Sequence, residues 1–310
     1  MNPSIFKSYD IRALCPEELR PEDVERIARS LAKIYQPTRI VIGRDMRKTS
    51  VALEEAAVKG FIASGVTVCQ IGLCSTPMFN FAMTEVPGTY DLGLMITASH
   101  NPAKYNGIKL VDRELRPIGM GSGLERLQEL ACSNEQFVDT TQKGQQLQDE
   151  SVLNRYLDRV FSLVDTSALS DRFPIVIDAG NGMEGHVLPE LMRRLSKVQC
   201  EPLYWELDGN FPNHEANPLK GETLAKLKER VVVTGAACGF AFDGDADRIG
   251  VVDERGEQIP GDLLIALLAR ELGRQTPGLK MLYDLRASRI VSDVVVSAGG
   301  RGWVRWWVPG

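Results

Sequence analysis

Leu94-Met95-Ile96-Thr97-Ala98-Ser99-His100-Asn101-Pro102, continued by Tyr105-Asn106-Gly107-Ile108-Lys109, is the stretch around which this chain is organised. An apolar run that reads as a buried strand ends in small, polar and turn-forming residues, which predicts Ser99 on a loop at a strand end. In α/β proteins that is where chemistry gathers. Lys109, on a strand that follows Asn106-Gly107, is expected to return to the same place through a hairpin. A serine hydroxyl is a poor nucleophile without a base or a metal. His100 is its neighbour in sequence, but adjacent side chains diverge. No Gly-x-Ser-x-Gly elbow occurs in the chain, so a hydrolase triad is disfavoured.

Outward from this loop the pattern is α/β. A helix is predicted from Pro21 to Tyr35, then an apolar strand from Arg39 to Ile42 that runs into Gly43-Arg44-Asp45-Met46-Arg47. A second helix starts near Ser50, with Glu54 and Glu55 expected to complement its dipole. The order repeats as strand (Val66 to Ile71), helix, strand (Leu92 to Ile96), which implies a sheet with helical crossovers. The arginines of Gly43-Arg44-Asp45-Met46-Arg47 could orient phosphate or pair nearby carboxylates, and structural support is the reading taken. A polar, Gln-rich stretch from Asp139 to Glu150 reads as a linker, followed by a helix from Val152 to Val164 and a strand from Pro174 to Ala179.

The second chemical centre is Phe242-Asp243-Gly244-Asp245-Ala246-Asp247-Arg248-Ile249. Three aspartates at every second position sit on a tight turn between apolar strands. Two such charges ~5 Å apart repel by roughly 3 kcal/mol at an effective dielectric near 20. A hard divalent cation with oxygen ligands resolves that conflict, and Mg²⁺ commonly pairs carboxylates with a phosphate oxygen. An EF-hand, suggested by Glu254 at the twelfth position, fails because Arg248 stands where its glycine belongs and both flanks are strand-like. Gly180-Asn181-Gly182-Met183-Glu184-Gly185 matches the dinucleotide fingerprint between a strand and a helix, with Glu201 or Glu206 downstream, and gives a rival reading as a nucleotide-binding protein.

Bulk properties narrow the classes. The chain has 310 residues, 44% hydrophobic and 25% charged, enough for two or three globular domains. A net charge of −5 argues against a general nucleic-acid surface and leaves small phosphorylated metabolites open. No run approaches the ~20 apolar residues that cross a bilayer, and the amino terminus has no secretory pattern. The scattered cysteines, without zinc-like spacing, are read as reduced thiols of a cytoplasmic protein.

The uninterrupted Thr97-Ala98-Ser99-His100-Asn101-Pro102 with Tyr105-Asn106-Gly107-Ile108-Lys109 resembles the active-site serine loop of the phosphohexomutases, the family of phosphomannomutase and phosphoglucomutase. Phe6-Lys7-Ser8-Tyr9-Asp10-Ile11-Arg12 resembles the family's amino-terminal signature, with Ala13 where a glycine is usual. Asp178-Ala179-Gly180-Asn181-Gly182, Asp208-Gly209-Asn210-Phe211-Pro212-Asn213-His214 and the acidic loop follow it too. The resemblance implies an α/β fold of successive mixed-sheet domains, two complete and a third incomplete: residues 1–142, 146–254 and 255–310. It implies reversible 1,6-phosphoryl transfer on mannose or glucose phosphates through phospho-Ser99, with Mg²⁺ and a hexose 1,6-bisphosphate as cofactors. The catalytic set is then Ser99, Lys109, Arg12 and His100. Tyr9, Asn101 and Arg248 contact substrate, while Ser99, Asp243, Asp245 and Asp247 hold the metal. His214 is read as structural.

Glu254-Arg255-Gly256-Glu257 reads as a hairpin turn, followed by an amphipathic helix from Gly261 to Gly273 and a strand from Lys280 to Asp284. Trp303, Trp306 and Trp307 then crowd the last eight residues. The family's Gly-Glu-x-Ser-Gly-His sugar loop and its fourth-domain phosphate clamp do not occur in the sequence. The expectation is a chain truncated or frameshifted near Gly300, with a catalytically impaired phosphosugar-binding remnant as the alternative to a working mutase.

Overall fold

The structure, a computed structural model, describes residues 1–305. Trp306 and Trp307 lie outside the described residues. The first sheet is built from β1 (Ile11–Leu14), β2 (Arg39–Arg44), β3 (Thr67–Leu73), β4 (Leu92–Ile96), β5 (Tyr105–Asp112) and β6 (Gln146–Gln148), in the order β1-β5-β4-β2-β3-β6. Strands β4, β2, β3 and β6 run parallel, and β5 and β1 turn antiparallel at one side. Helices α1 (Pro21–Tyr35), α2 (Ser50–Ala63), α3 (Thr76–Thr84) and α4 (Leu124–Cys132) cover its faces.

Every residue of β4 is buried, and its alternation sorts two cores. Leu92, Leu94 and Ile96 join Ile27, Leu31, Leu53 and Phe61 on the face of α1 and α2, whereas Met95 joins Met78 and Phe79 of α3 on the other. The period of two along a strand makes this division unavoidable once both faces are covered.

The second sheet contains β7 (Phe173–Asp178), β8 (Val198–Leu203), β9 (Cys238–Phe242), β10 (Ile249–Asp253) and β11 (Gln258–Ile259), ordered β11-β10-β9-β7-β8. Helix α5 (Val152–Leu163) leads into it, α6 (Glu184–Arg194) packs by Leu188 on Ile175 and Ile177, and α7 (Ala225–Thr234) packs by Leu227 and Val231 on Val176 and Val252. A last unit sets α8 (Gly261–Gln275) and α9 (Arg289–Ser297) beside the parallel pair β12 (Lys280–Asp284) and β13 (Arg301–Arg305). Mixed α/β sheets are therefore the observed class. All six cysteines are free, and among the described residues no helix is long and apolar enough to cross a membrane.

Three local expectations are corrected. The polar stretch from Asp139 is not a bare linker, because β6 pairs with β3 and joins residues 146–148 to the first sheet. Glu54 does not serve the α2 dipole; it is buried and accepts from Arg44 Nε at 2.9 Å, and the first turn of α2 holds no acidic residue. Asn106-Gly107 is not the hairpin turn but lies inside β5, paired with β1. A Cβ on Gly107 would stand 2.2 Å from the Ile11 carbonyl oxygen, so the glycine there permits close strand approach. Ala13 lies in extended β1 opposite Asn106, where no positive φ is needed.

Candidate active site

Ser99 follows β4 directly, in the left-handed region at φ +52°. A non-glycine residue there needs its surroundings to hold it. The Ser99 amide donates to Thr97 Oγ1 at 2.9 Å. The larger restraint is Arg47, 1% exposed. Its Nη2 donates to the carbonyls of Ser99 (2.9 Å) and Asn101 (2.6 Å), its Nη1 to those of Pro102 (2.9 Å) and Tyr105 (3.0 Å), and its Nε to Asp45 Oδ2 (3.1 Å). One rigid fork thereby satisfies most of the carbonyls a sharp loop leaves over. The structural reading of the arginines of residues 43–47 describes these contacts, with Arg44 on Glu54 as the other half.

The acidic loop arrives from the second sheet, between β9 and β10, and meets Ser99 head on. Ser99 Oγ donates to Asp243 Oδ2 at 2.7 Å, across 144 residues of sequence. Gly244 makes this approach possible, since a Cβ on it would lie 2.5 Å from the Ser99 carbonyl oxygen. Lys109 Nζ bridges Asp245 Oδ2 and Asp247 Oδ2, each at 2.6 Å, and Thr76 Oγ1 donates to Asp245 Oδ2 at 2.6 Å. Arg248 Nε stands 3.9 Å from Asp243 and 3.7 Å from Asp247.

These charges set one another. Burial, then the carboxylates of Asp245 and Asp247, push the Asp243 carboxyl up to about 8. Burial pushes Asp245 the same way, but the Lys109 ammonium and the hydrogen bonds from Lys109 and Thr76 outweigh it and hold that carboxyl below its ordinary value. Burial disfavours the Lys109 ammonium, yet Asp245 and Asp247 hold its pKa above the usual lysine range. Lys109 is thus a fixed positive charge at neutral pH.

A second set of side chains lines the rim. Arg12 Nη1 donates to Asn101 Oδ1 at 2.9 Å, and Arg12 Nη2 pairs with Asp10 at 2.5 Å. Arg248 Nη1 lies 2.5 Å from His100 Nδ1. Burial, followed by the Arg248 and Arg12 cations, lowers the His100 pKa, so its ring is neutral and Nδ1 accepts from Arg248. Ser99 Oγ is 3.3 Å from that same nitrogen and bonds to Asp243 instead. Tyr9 lines a cavity of about 280 Å³ with Thr76, Lys109 and Asp247. A larger cavity, about 490 Å³, lined by Arg29, Lys59 and Asp139, shares no residue with this cluster.

One carboxylate oxygen from each of Asp243, Asp245 and Asp247 lies within 4.8 Å of the others, so the three could hold a metal ion. Asp245 Oδ1 is buried without a hydrogen bond from any described residue, a costly arrangement that a cation relieves. The three donors are hard carboxylate oxygens, which suit a hard cation such as Mg²⁺, Mn²⁺ or Ca²⁺ rather than a thiolate- or imidazole-seeking ion.

The sequence model for phosphoglucomutase/phosphomannomutase, alpha/beta/alpha domain I, matches residues 3–120, and that for alpha/beta/alpha domain II matches residues 154–256. The chain belongs to the phosphohexomutase family. It is 38% identical over 300 residues to the phosphomannomutase of Escherichia coli K12, covering 95% of this chain and 65% of that protein. A Pseudomonas putida phosphomannomutase/phosphoglucomutase is 34% identical over 96% of this chain and 62% of its own length. This chain therefore spans a little under two thirds of such relatives. A crystal structure of a phosphoglucomutase/phosphomannomutase family protein from Burkholderia thailandensis superposes with a TM-score of 0.88 at 30% identity, covering 98% of this chain and 66% of that one. A structure from Thermus thermophilus shares the fold, with a TM-score of 0.84 at 20% identity over 96% of this chain and 68% of that one.

Ser99, His100, Asn101, Lys109, Asp243, Asp245, Asp247 and Arg248 stand together in the structure, with Arg12 and Tyr9 at the rim. Sequence reasoning missed Thr76, although Ser75-Thr76-Pro77 at the end of β3 carried the signature of a helix start, with Ser75 accepting from the Met78 amide. It also passed over Phe211, whose ring lies 5.0 Å from the Arg47 guanidinium. The dinucleotide reading finds no room, because the amide just before α6 is already spoken for: Met183 N donates to the Gly244 carbonyl at 2.9 Å, and a Cβ on Gly182 would meet Gly244 Cα at 3.0 Å. The acidic loop fills the place where a pyrophosphate would sit. His214 is structural, its Nε2 2.9 Å from Asp178 Oδ2.

Proposed function

We propose that this chain carries the phosphoserine and metal-binding half of a phosphohexomutase acting on mannose or glucose phosphates. Its units would be residues 1–142, 146–254 and 255–310, and its six free cysteines favour a cytoplasmic setting. The observation that carries the reading is the 2.7 Å contact between Ser99 Oγ and Asp243, with Lys109 and Arg248 beside it. A nucleophile, a carboxylate trio and fixed cations meet where two sheets touch, which is the equipment phosphoryl transfer needs.

In the forward half, the bond from phosphorus to Ser99 Oγ breaks as a bond to a sugar hydroxyl oxygen forms. The hydroxyl proton returns to Ser99 Oγ, which in the dephosphorylated chain donates to Asp243. The hexose 1,6-bisphosphate then turns over, and Ser99 Oγ bonds to its other phosphorus as the bond from that phosphorus to the sugar oxygen breaks, the serine proton passing to that oxygen. When held by Asp243, Asp245, Asp247 and Ser99 Oγ, Mg²⁺ supplies positive charge at the transferring group. Lys109, whose ammonium pairs with Asp245 and Asp247, stands beside the transferring group to stabilise its charge. Arg12, Asn101, Tyr9 and Arg248 would contact the substrate from the rim, with His100 hydrogen-bonded to Arg248.

Incubation with glucose 1,6-bisphosphate and Mg²⁺ tests this. Intact mass should show one phosphoryl group, mapped to Ser99, and mannose 1-phosphate or glucose 1-phosphate should be converted to the 6-phosphate. Loading without turnover would favour a phosphosugar-binding chain, and no loading at all would overturn the reading.

A further inference from the structure

The segment Asp208-Gly209-Asn210-Phe211 has no part in the chemistry above, yet it is where the second unit touches the fastener of the serine loop. The turn is built on its own backbone: Phe211 N donates to the Asp208 carbonyl at 3.0 Å, Asp208 N donates to the Asn181 carbonyl at 3.1 Å, and Asp208 Oδ1 accepts from Asn210 N at 2.8 Å. Its tip presses on the first unit. A Cβ on Gly209 would stand 2.7 Å from Arg47 Cα, 3.0 Å from the Met46 carbonyl oxygen and 3.2 Å from Lys48 N, so only a glycine lets the two backbones come this close. Phe211, held at φ +51°, sets its ring over the Arg47 guanidinium at 5.0 Å. The far edge of that ring reaches the acidic loop, 3.5 Å from where a Cβ on Gly244 would be.

We propose that Phe211 is a positioning residue for Ser99. The 208–211 turn is a latch by which the second unit holds Arg47 and, through Arg47, the carbonyls of Ser99, Asn101, Pro102 and Tyr105. The physical reason lies in the fork. A guanidinium that spends its donors on in-plane carbonyls keeps its two faces for stacking, and an aromatic face is the partner that fixes its plane. Tilting that plane lengthens several hydrogen bonds together, and Ser99 stays at positive φ only while they hold. The same ring stands 3.5 Å from where a Cβ on Gly244 would be, which ties docking of the acidic loop to shaping of the serine loop. The inference rests on the phosphoryl-transfer reading for its consequence but not for its geometry.

The test is Phe211→Leu, which keeps apolar bulk and removes the ring, compared with the unaltered chain and with Arg47→Lys. At saturating glucose 1,6-bisphosphate and Mg²⁺, the rate at which Ser99 gains a phosphoryl group should fall ~tenfold, the scale of a desolvated cation–π contact. The half-saturating concentration should stay put, and the melting temperature should fall by only about a few degrees. Amide hydrogen exchange at Asn101 and Tyr105 should quicken by a similar factor, while the amides of β4 do not change. In the double variant the two effects should fail to add, since both act on one contact. Unchanged exchange at Asn101 and Tyr105 in Phe211→Leu, or strictly additive effects, would overturn the latch. Should Arg47→Lys fail to fold, the exchange of Phe211→Leu alone decides. Should the unaltered chain never take up phosphoryl, the mutase reading falls, and the exchange comparison still decides the latch.

Discussion

The two loops that form the site are held in opposite ways. The serine loop is fastened by a buried guanidinium on neutral carbonyls. The acidic loop is fastened by charge: Lys109 on Asp245 and Asp247, with Thr76 and Ser99 donating to carboxylates. A loop proposed to gain and lose a phosphoryl group gains from restraints that are indifferent to its charge. A loop that gathers three carboxylates needs cations and donors on those carboxylates besides its backbone bonds from Thr76 and Met183, and its shape is therefore open to pH and to metal in a way the first is not.

The sharpest way to break this contrast is to remove the hydroxyl. Ser99→Ala is expected to abolish phosphoryl uptake completely by intact mass, while Mg²⁺ affinity measured by calorimetry drops by less than about tenfold, because the three carboxylates remain. Uptake surviving in that variant would place the chemistry elsewhere. Asp245→Asn should act in the reverse sense, lowering Mg²⁺ or Mn²⁺ affinity by roughly a hundredfold or more, beyond the roughly 10–100-fold seen for outer partners. Thr76→Val removes only the group that orients Asp245, and about a tenfold loss of cation affinity is expected, with the protection of Asn101 and Tyr105 amides unchanged.

The remaining effect concerns protons. With Asp243 pushed up to about 8, a proton must leave before a cation is held, so Mg²⁺ affinity should climb by up to about tenfold per unit as pH rises toward 8 and level off above it. In chelator the sign reverses for stability. The folded chain binds this proton more tightly than the unfolded one, so the contribution is present at low pH and is lost as pH rises from 3.8 to about 8. Urea unfolding across that range, with and without Mg²⁺, measures both. The serine loop's carbonyl contacts do not titrate there, and its exchange protection, corrected for intrinsic rates, should stay flat.

Much of this molecule could be read from local pattern. The unbroken apolar run of β4, the helix from Pro21 to Tyr35, the strand from Lys280 to Asp284 and the hairpin at Gly256 all stand where the residues put them, because side-chain period and turn chemistry act over a few positions. The repulsion of Asp243, Asp245 and Asp247 was likewise written in their spacing. Local readings failed where a distant partner outbid a nearby one. Glu54 answers to Arg44 rather than to its own helix, Asn106-Gly107 is claimed by β1, and the Gln-rich stretch is drawn in as β6 by the open edge of β3.

What the amino-acid order settled by itself is the identity of the elements and of the groups that carry charge or a nucleophile. Which of those groups meet was decided only when the two sheets docked. Ser99 reaching Asp243 depends on the missing side chain of Gly244, Thr76 reaches Asp245 across 169 residues, and Phe211 reaches Arg47 because Gly209 lets backbone touch backbone. Short-range preferences are fixed by covalent neighbours. Such encounters depend on the packing of whole layers, and no window of sequence contains both partners.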